Sequence, residues 1–458
     1  MEKRGYSVNS DALAIIEVCD NWYKNVEDEN FHKRKNLNNK EIHLSRLNFA
    51  KRCCSDDANL CEIVSVAPEK ESASQNFIEN FLEKNRFSVQ YRKQLEKTSA
   101  SGTTGAYVYL KGATYVKGPK DTVKVKDGVI KVNYCEADCI IPLTVENDLI
   151  TECAFCGTNR AKGKEQTILV IFTLENEKYK AETVIFDDKG SVKEESDIQL
   201  GDVKPFAILT NAEVNNLDNM EGYGFPKLYN AIPVLKALDL CYNILYGDLD
   251  KGEKIVFINE LLACLSEKND GTKVLTPQQK DLFVLLGEKL PQADTLIKEY
   301  NPEIRVEDIT KAFELVLSLL SMSFGYGSKK YTFENGKITT ATEYIGTKQD
   351  SMQELNKQRA NAKDYITDII HAAMWFSNQF HKTSFNVEEK LSIEFDDSYI
   401  VDKETKLETM RADAVTFSDV KILLVWYLME KYNLSEEDAR KHIAEGSGSE
   451  DNNDDLND

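Results

Sequence analysis

The feature that most constrains this chain is a pair of apolar helical stripes bracketing a polar insert. Leu235, Leu238, Tyr242, Leu245 and Leu249 recur at helical spacing, and Ile309, Phe313, Val316, Leu317 and Leu320 do so again beyond residues 251–304. Two such stripes can run side by side, each burying its apolar face against the other. Pro233 lacks the amide hydrogen a helix interior needs, so the first helix is expected to start or kink there. From Pro233 onward that helix would span roughly 27 Å at 1.5 Å per residue. The runs KIVFINELL and DLFVLLGE place a small mixed α/β insert between the two helices.

What flanks the hairpin changes period. An amphipathic helix is expected over residues 9–23, with Leu13, Ile16 and Cys19 on one face, and another through ASQNFIENFLEKN, with Phe77, Phe81 and Leu82. From GAYVYLKGATYV to AETVIFDDKG the alternation is two-fold, which predicts successive antiparallel strands. After the second stripe come SFGYGSKKYTFENGKITTATEYIG and then a helix of roughly 35 residues, about 50 Å long. Thr340 or Thr342 is its N-cap candidate, while Gly325 and Gly327 permit a sharp exit from the preceding helix. A strand and turn follow in KLSIEFDDSYIVDKET, then two C-terminal helices, the last capped by Ser435 with Asp438 at its third position. At 458 residues the chain is too long for one core, so two or three lobes of α+β class are expected.

Charge narrows the partners. The net charge of −20, from 57 Lys+Arg against 77 Asp+Glu, is the wrong sign for a protein that grips DNA phosphates tightly. A surface that DNA slides past is compatible with it. The segment from Gly446 to the end, GSGSEDNNDDLND, has no basic residue and is expected to be a disordered acidic tail. No apolar run approaches the roughly 20 residues of a membrane span, and MEKRGYSVNSDALAII lacks the apolar core of a signal peptide. Ten cysteines, including adjacent Cys53 and Cys54, then suggest a reduced cytosolic protein rather than a disulfide scaffold.

Chemistry-bearing motifs are few. Cys135 and Cys139, followed by Cys153 and Cys156, have the spacing of a zinc ribbon, because four thiolates can close a tetrahedron. The ordinary alternative is small apolar residues on paired strands. GTNRAKGKE misses the phosphate-loop spacing and carries Glu165 where a hydroxyl should hold magnesium. His371 and His381 belong to no HExxH pair, and no nucleophile elbow occurs. Nothing in the sequence demands an enzyme or a cofactor. The competing readings are a zinc-dependent nucleic-acid-processing protein using the cysteine quartet and a scaffolding protein without a channel.

The order of elements carries more than any single motif. FIENFLEKNRFSVQYRKQLEKTSASGTTGAYVYLKG, VNYCEADCIIPLTVENDLITECAF, GYGFPKLYNAIPVLKALDLCYNILYGDLDKGEKIVFI, TTATEYIGTKQDSMQELNKQ and LSIEFDDSYIVDKET occur in that order. Together they resemble the portal proteins of long-tailed, double-stranded DNA bacteriophages, over residues of about 10 to 445. In the first stretch, the resemblance is to one helix ending in a small-residue turn into the sheet. The sequence departs from the family pattern at Pro233 and Gly247 within the first stem helix, at Gly224-Phe225-Pro226, at Lys254-Ile255 and at the cysteine quartet.

The resemblance implies a homo-oligomeric ring, typically of twelve, around a DNA channel at one capsid vertex, with no catalysis. It implies a wing over 1–232, stem helices over 233–250 and 305–323, and a clip over 251–304. A tunnel loop would occupy 324–341, a long wing helix with its returning strand 342–400, and crown helices 401–445. Stem packing would fall to Leu238, Tyr242, Leu245, Phe313, Leu317 and Leu320. Lys329, Lys330, Tyr331 and Lys337 would face DNA, with Gly325 and Gly327 as loop hinges. Implied partners are the terminase large subunit, capsid and scaffolding proteins, and the head-completion adaptor. The implied location is the virion, after assembly in the host cytoplasm.

Overall fold

The computed structural model describes residues 5–35, 39–112, 114–117, 123–126, 128–161, 164–187, 189–252, 255–259, 266–267, 273–274, 283–286, 297–301, 303–328, 330–332, 341–396, 403–416, 421–432 and 434–447. They form two compact units, Met1–Cys61 with Pro68–Leu391 and Glu62–Ala67 with Ser392–Asp458. The fold is α+β. In the first unit, α1 (Ser10–Tyr23) is capped by Asn9, whose side chain accepts from the Ala12 amide at 3.1 Å, and it buries Ala12, Ile16 and Cys19. A ribbon of β1 (Lys33–Lys35) and β2 (Glu41–His43) leads to α2 (Phe49–Ala58), after which β3 (Ile63–Pro68) enters the second unit.

The stretch expected as one helix running into a small-residue turn is two helices, α3 (Gln75–Lys84) and α4 (Phe87–Ser101). Arg86 separates them at φ +48°, a left-handed conformation that a continuing helix cannot hold. The strands are β4 (Thr103–Lys111), β5 (Thr114–Lys117), β6 (Val123–Lys126), β7 (Val129–Glu136), β8 (Ile140–Glu146), β9 (Leu149–Ala161), β10 (Lys164–Glu175), β11 (Lys178–Phe186), β12 (Val192–Gln199) and β13 (Phe206–Thr210). They pair as β12-β11-β10-β9-β8, as β13-β4-β7, and as the hairpin β5-β6, all antiparallel as the alternation predicts. Two of the turns, Asn147-Asp148 and Asn176-Glu177, have positive φ at both residues, the twist that suits tight hairpins.

The two larger sheets meet through aromatic rings. Tyr107, Phe155, Phe172, Phe206 and Tyr179 stack and abut with centroids 5.2 to 6.1 Å apart. Each buried ring contributes about 2–3 kcal/mol, which makes this the wedge that fixes one sheet against the other. Beyond the sheets come α5 (Lys227–Lys251), then the strands β14 (Ile255–Asn259), β15 (Ser266–Glu267), β16 (Lys273–Val274), β17 (Phe283–Leu286) and β18 (Ile297–Tyr300). The hairpin closes with α6 (Val306–Ser323), and α7 (Ala341–Phe376) follows. β14 sits between parallel β17 and antiparallel β18, and the described residues between β14 and β18 are all strand. The 36-residue α7 is about 54 Å long and buries Tyr365, Ile366, Ile369 and Ile370 in the core of this unit.

In the second unit, β19 (Leu391–Phe395) pairs with β3, and α8 (Lys403–Thr416), α9 (Lys421–Tyr432) and α10 (Glu436–Ser447) follow. The sequence reading did not anticipate α8. The cap on α10 is as expected, with the Asp438 amide donating to Ser435 Oγ at 3.2 Å and that hydroxyl donating back to Asp438 at 2.7 Å. The helix continues through Gly446 and Ser447. The rest of the tail lies outside the described residues.

One crossing sets where the stem begins. Gly102, at φ +83°, ends α4, and a Cβ there would overlap the Gly224 carbonyl oxygen. The Gly224 amide donates to Thr103 Oγ1 at 2.7 Å, while the Asn211 side chain donates to the Thr98 and Phe225 carbonyls at 2.9 and 2.6 Å. In the stretches SGTTG and GYGFP, each backbone thus occupies the other's side-chain space. Gly102→Ala should lower the stability of the first unit by about 3 kcal/mol, from steric overlap and left-handed strain together. An unchanged thermal unfolding midpoint would contradict that packing.

Candidate functional site: the stem hairpin and its loop

Helix α5 begins six residues before Pro233 and runs through it, so the proline neither starts nor ends the helix. Pro233 is exposed, and its cost of about 3 kcal/mol is offset by the burial of Leu228, Ala231, Ile232, Leu235 and Leu238 around it. Helix α6 packs alongside, burying Ile309, Phe313, Leu317 and Leu320, while Tyr242 and Leu245 are half-buried. At the insert end, Arg305 closes the hairpin with two hydrogen bonds to Asp248, at 3.0 and 2.9 Å.

The outer faces are also apolar. On α6, Leu315, Leu319 and Met322 lie roughly opposite the inner stripe and are 64%, 46% and 58% exposed. On α5, Ile244 is 47% exposed, on a face shared with half-buried Ala237 and Cys241.

The exit from α6 is a Schellman turn. Gly325 has φ +76°, its amide donates to the Met322 carbonyl at 3.0 Å, and the Tyr326 amide donates to Ser321 at 3.1 Å. Gly327 is also left-handed, at φ +71°. Phe324 and Tyr326 turn inward and are fully buried. The Tyr326 hydroxyl donates to Asp57 at 2.7 Å, and burial with that carboxylate beside it holds the phenol well above the ordinary tyrosine range. Tyr331, expected to face DNA, instead donates its hydroxyl to Asp56 at 3.3 Å and its amide to Ser321 Oγ at 2.9 Å. Lys330 lies over the Tyr326 ring, 5.4 Å from its centre. Lys329, Lys337 and the cap candidate Thr340 lie outside the described residues, as does the side chain of Thr342.

Beneath the loop, Lys227 is 1% exposed at the first turn of α5. Its ammonium lies 3.1 Å from Asp57 and 3.1 Å from Glu354 on α7. Burial alone would lower this lysine, but Asp57, Glu354 and Glu213 reverse the sign and hold it above the ordinary range. Burial lifts the Glu213 carboxyl, Lys227 opposes that rise, and Glu354 beside it adds to it.

The cysteine quartet does not converge. Cys153 and Cys156 sit three apart on β9 and so point to opposite faces, Cys156 packing with Ala154, Leu169 and Ile171. Burial raises the Cys135 thiol to about 12 and lifts those of Cys139, Cys153 and Cys156, the reverse of what a thiolate ligand needs. Among the described residues no group of three or more His, Cys, Asp or Glu is placed to hold a metal. His371 and His381 each donate their Nε2–H to a backbone carbonyl, of Glu389 and Gly128 respectively. A cavity of about 1530 Å³ opens between the two sheets and the end of α7, lined by Tyr107, Phe155, Phe172 and Trp375 among others.

Residues 9–416 match the family model described as phage portal protein, SPP1 Gp6-like. The chain belongs to the phage portal family. Portal proteins are structural, homo-oligomeric components of the virion, and among the described residues no helix is long and apolar enough to cross a membrane. No curated protein matches the sequence. Among solved structures, one titled "Neck of native GTA particle computed with C12 symmetry" is 9% identical with a TM-score of 0.37, covering 79% of this chain and 84% of that one.

In this portal protein Leu238, Phe313, Leu317 and Leu320 are buried, Tyr242 and Leu245 are half-buried, and Gly325 and Gly327 turn the chain out of α6. The structure adds Lys227, Asp56, Asp57 and Tyr326, which sequence reasoning missed. The only local signals were a lysine directly after GFP and an acidic pair next to buried small residues. Glu213 supplies a test. A carboxyl raised in the folded state favours folding while protonated, and that contribution is lost as pH rises from the ordinary glutamate value through the raised one. Glu213→Gln cannot ionise, so its thermal midpoint should exceed that of the native chain more at pH 8 than at pH 4. A larger gain at acid pH would contradict the assignment.

Proposed function

We propose that this chain assembles into a closed ring, of twelve subunits by family resemblance, whose stem hairpins surround a channel for double-stranded DNA. The ring sits at one capsid vertex and serves packaging, retention and ejection of the genome, without ATPase chemistry of its own. The wing is residues 1–226, the stem helices are α5 and α6, and the insert between them is the clip. That clip docks the terminase large subunit and later the head-completion protein. The long helix with its returning strand spans 341–400, and the last helices form the crown. Capsid and scaffolding proteins are partners during assembly in the host cytoplasm. Lys329, Lys330 and Lys337 present cations to passing DNA, repeated by ring symmetry, against an acidic background that keeps the duplex from sticking.

The observation that supports this reading best is the two-sided hairpin. Ile309, Phe313, Leu317 and Leu320 are buried beside α5, while Leu315, Leu319 and Met322 of α6 and Ile244 of α5 are left exposed for another molecule. A contact of α6 of one subunit against α5 of the next is heterologous, and such contacts close into a ring when the rotation between neighbours closes. Leu315→Asp with Leu319→Asp should therefore abolish rings by native mass spectrometry while leaving a folded monomer. Leu317→Asp, which strikes the buried inner stripe, should unfold the hairpin itself. Rings persisting in the outer double variant would sink the proposed interface.

A further inference from the structure

The loop after α6 is tied at two points to one end of α2. Tyr326 and Tyr331 reach Asp57 and Asp56 respectively, although they lie more than 260 residues away in sequence. The Tyr331 amide is bonded to the Ser321 hydroxyl inside the last turn of α6. The same Asp57 oxygen that accepts from Tyr326 also meets Lys227 at the first turn of α5, and Lys227 in turn meets Glu354 on α7. Arg52, one turn back on α2, holds Asp56 at 3.0 Å. The loop root is thus bonded to the start of one stem helix, the end of the other and the long helix, through side chains that are buried or nearly so.

We propose that Tyr326 and Tyr331 are positioning residues that latch the root of the channel loop to Asp57 and Asp56, so that the loop's placement is locked to both stem helices and to α7. This rests on the portal reading for the loop's role, though not for the latch itself. The two phenols, rather than the glycines alone, then decide where the basic pair is presented. The glycines permit the turn, and the hydroxyls choose its seat. Lys330, lying on the Tyr326 ring, moves with that seat.

Hydrogen–deuterium exchange on the full-length chain, read by mass spectrometry, tests this with Tyr326→Phe and Tyr331→Phe, which keep the rings and delete only the hydroxyls. Exchange over residues 324–332 should quicken by about tenfold, the size expected for losing a hydrogen bond to a charged acceptor, with α5 and α6 changed far less. Rings of unchanged subunit number should form, and DNA packaged per capsid should fall. Unchanged exchange over 324–332 in both variants would overturn the latch. Faster exchange with normal packaging in intact rings would overturn the positioning role. The exchange arm decides the latch whether or not the chain forms rings, so its failure is separable from failure of the portal reading.

Discussion

The buried ammonium of Lys227 is the interaction on which the arrangement of the first unit turns. Taking an unpaired charge out of water costs several kcal/mol, so a lysine 1% exposed must be answered by carboxylates placed with care. Asp57 and Glu354 answer it from α2 and α7, and Tyr326 shares Asp57 from the loop after α6. Because α5 carries the lysine, satisfying one charge fixes the start of the stem helix against three other parts of the chain. Burial pushes the Glu213 carboxyl up against the opposing pull of Lys227, and Glu354 and Asp57 add to the rise. A second buried pair does the same work about three turns further on, where His32 and the Leu47 amide both meet Asp239 of α5, at 3.2 and 2.9 Å. The stem is therefore pinned by buried polar contacts at its root, and toward the insert by apolar packing and the Arg305–Asp248 pair.

That division suits an element that must be rigid where it joins the body and adaptable where it meets neighbours. The inner faces of α5 and α6 close on each other, and at the far end the Arg305–Asp248 pair, exposed on its arginine side, adds little. What remains apolar and uncovered points sideways. In a family of homo-oligomeric portal proteins, the economical occupant of such a surface is the next copy of the same hairpin.

Much of this was readable before the fold was known, for local reasons. Alternation fixes which strand faces are buried, a Ser with an Asp three residues later caps α10, and three- and four-residue spacing reveals both stem stripes. Other features escaped because local rules were overridden. Pro233 reads as a helix start or a kink, yet α5 begins six residues before it and continues through it. Arg86 breaks a helix without any glycine or proline to announce it. Tyr331 sits in a polar, lysine-bearing stretch that reads as solvent-facing, and only the arrival of Asp56 from the other end of the chain draws it inward. The Lys227 network was illegible for the same reason, since Asp57 and Glu354 lie 170 and 127 residues away from it. The cysteine quartet was the opposite case, a suggestive spacing that strand parity pulls apart.

The central claim is that the uncovered faces of the hairpin are covered by a second copy, closing a ring around a channel. Electron cryomicroscopy of the purified full-length chain tests it most directly. The account predicts closed rings with a central hole, in which Leu315, Leu319 and Met322 of one subunit seat against Ala237, Cys241 and Ile244 of the next. Monomers under all conditions, or rings in which that stripe faces solvent, would contradict it.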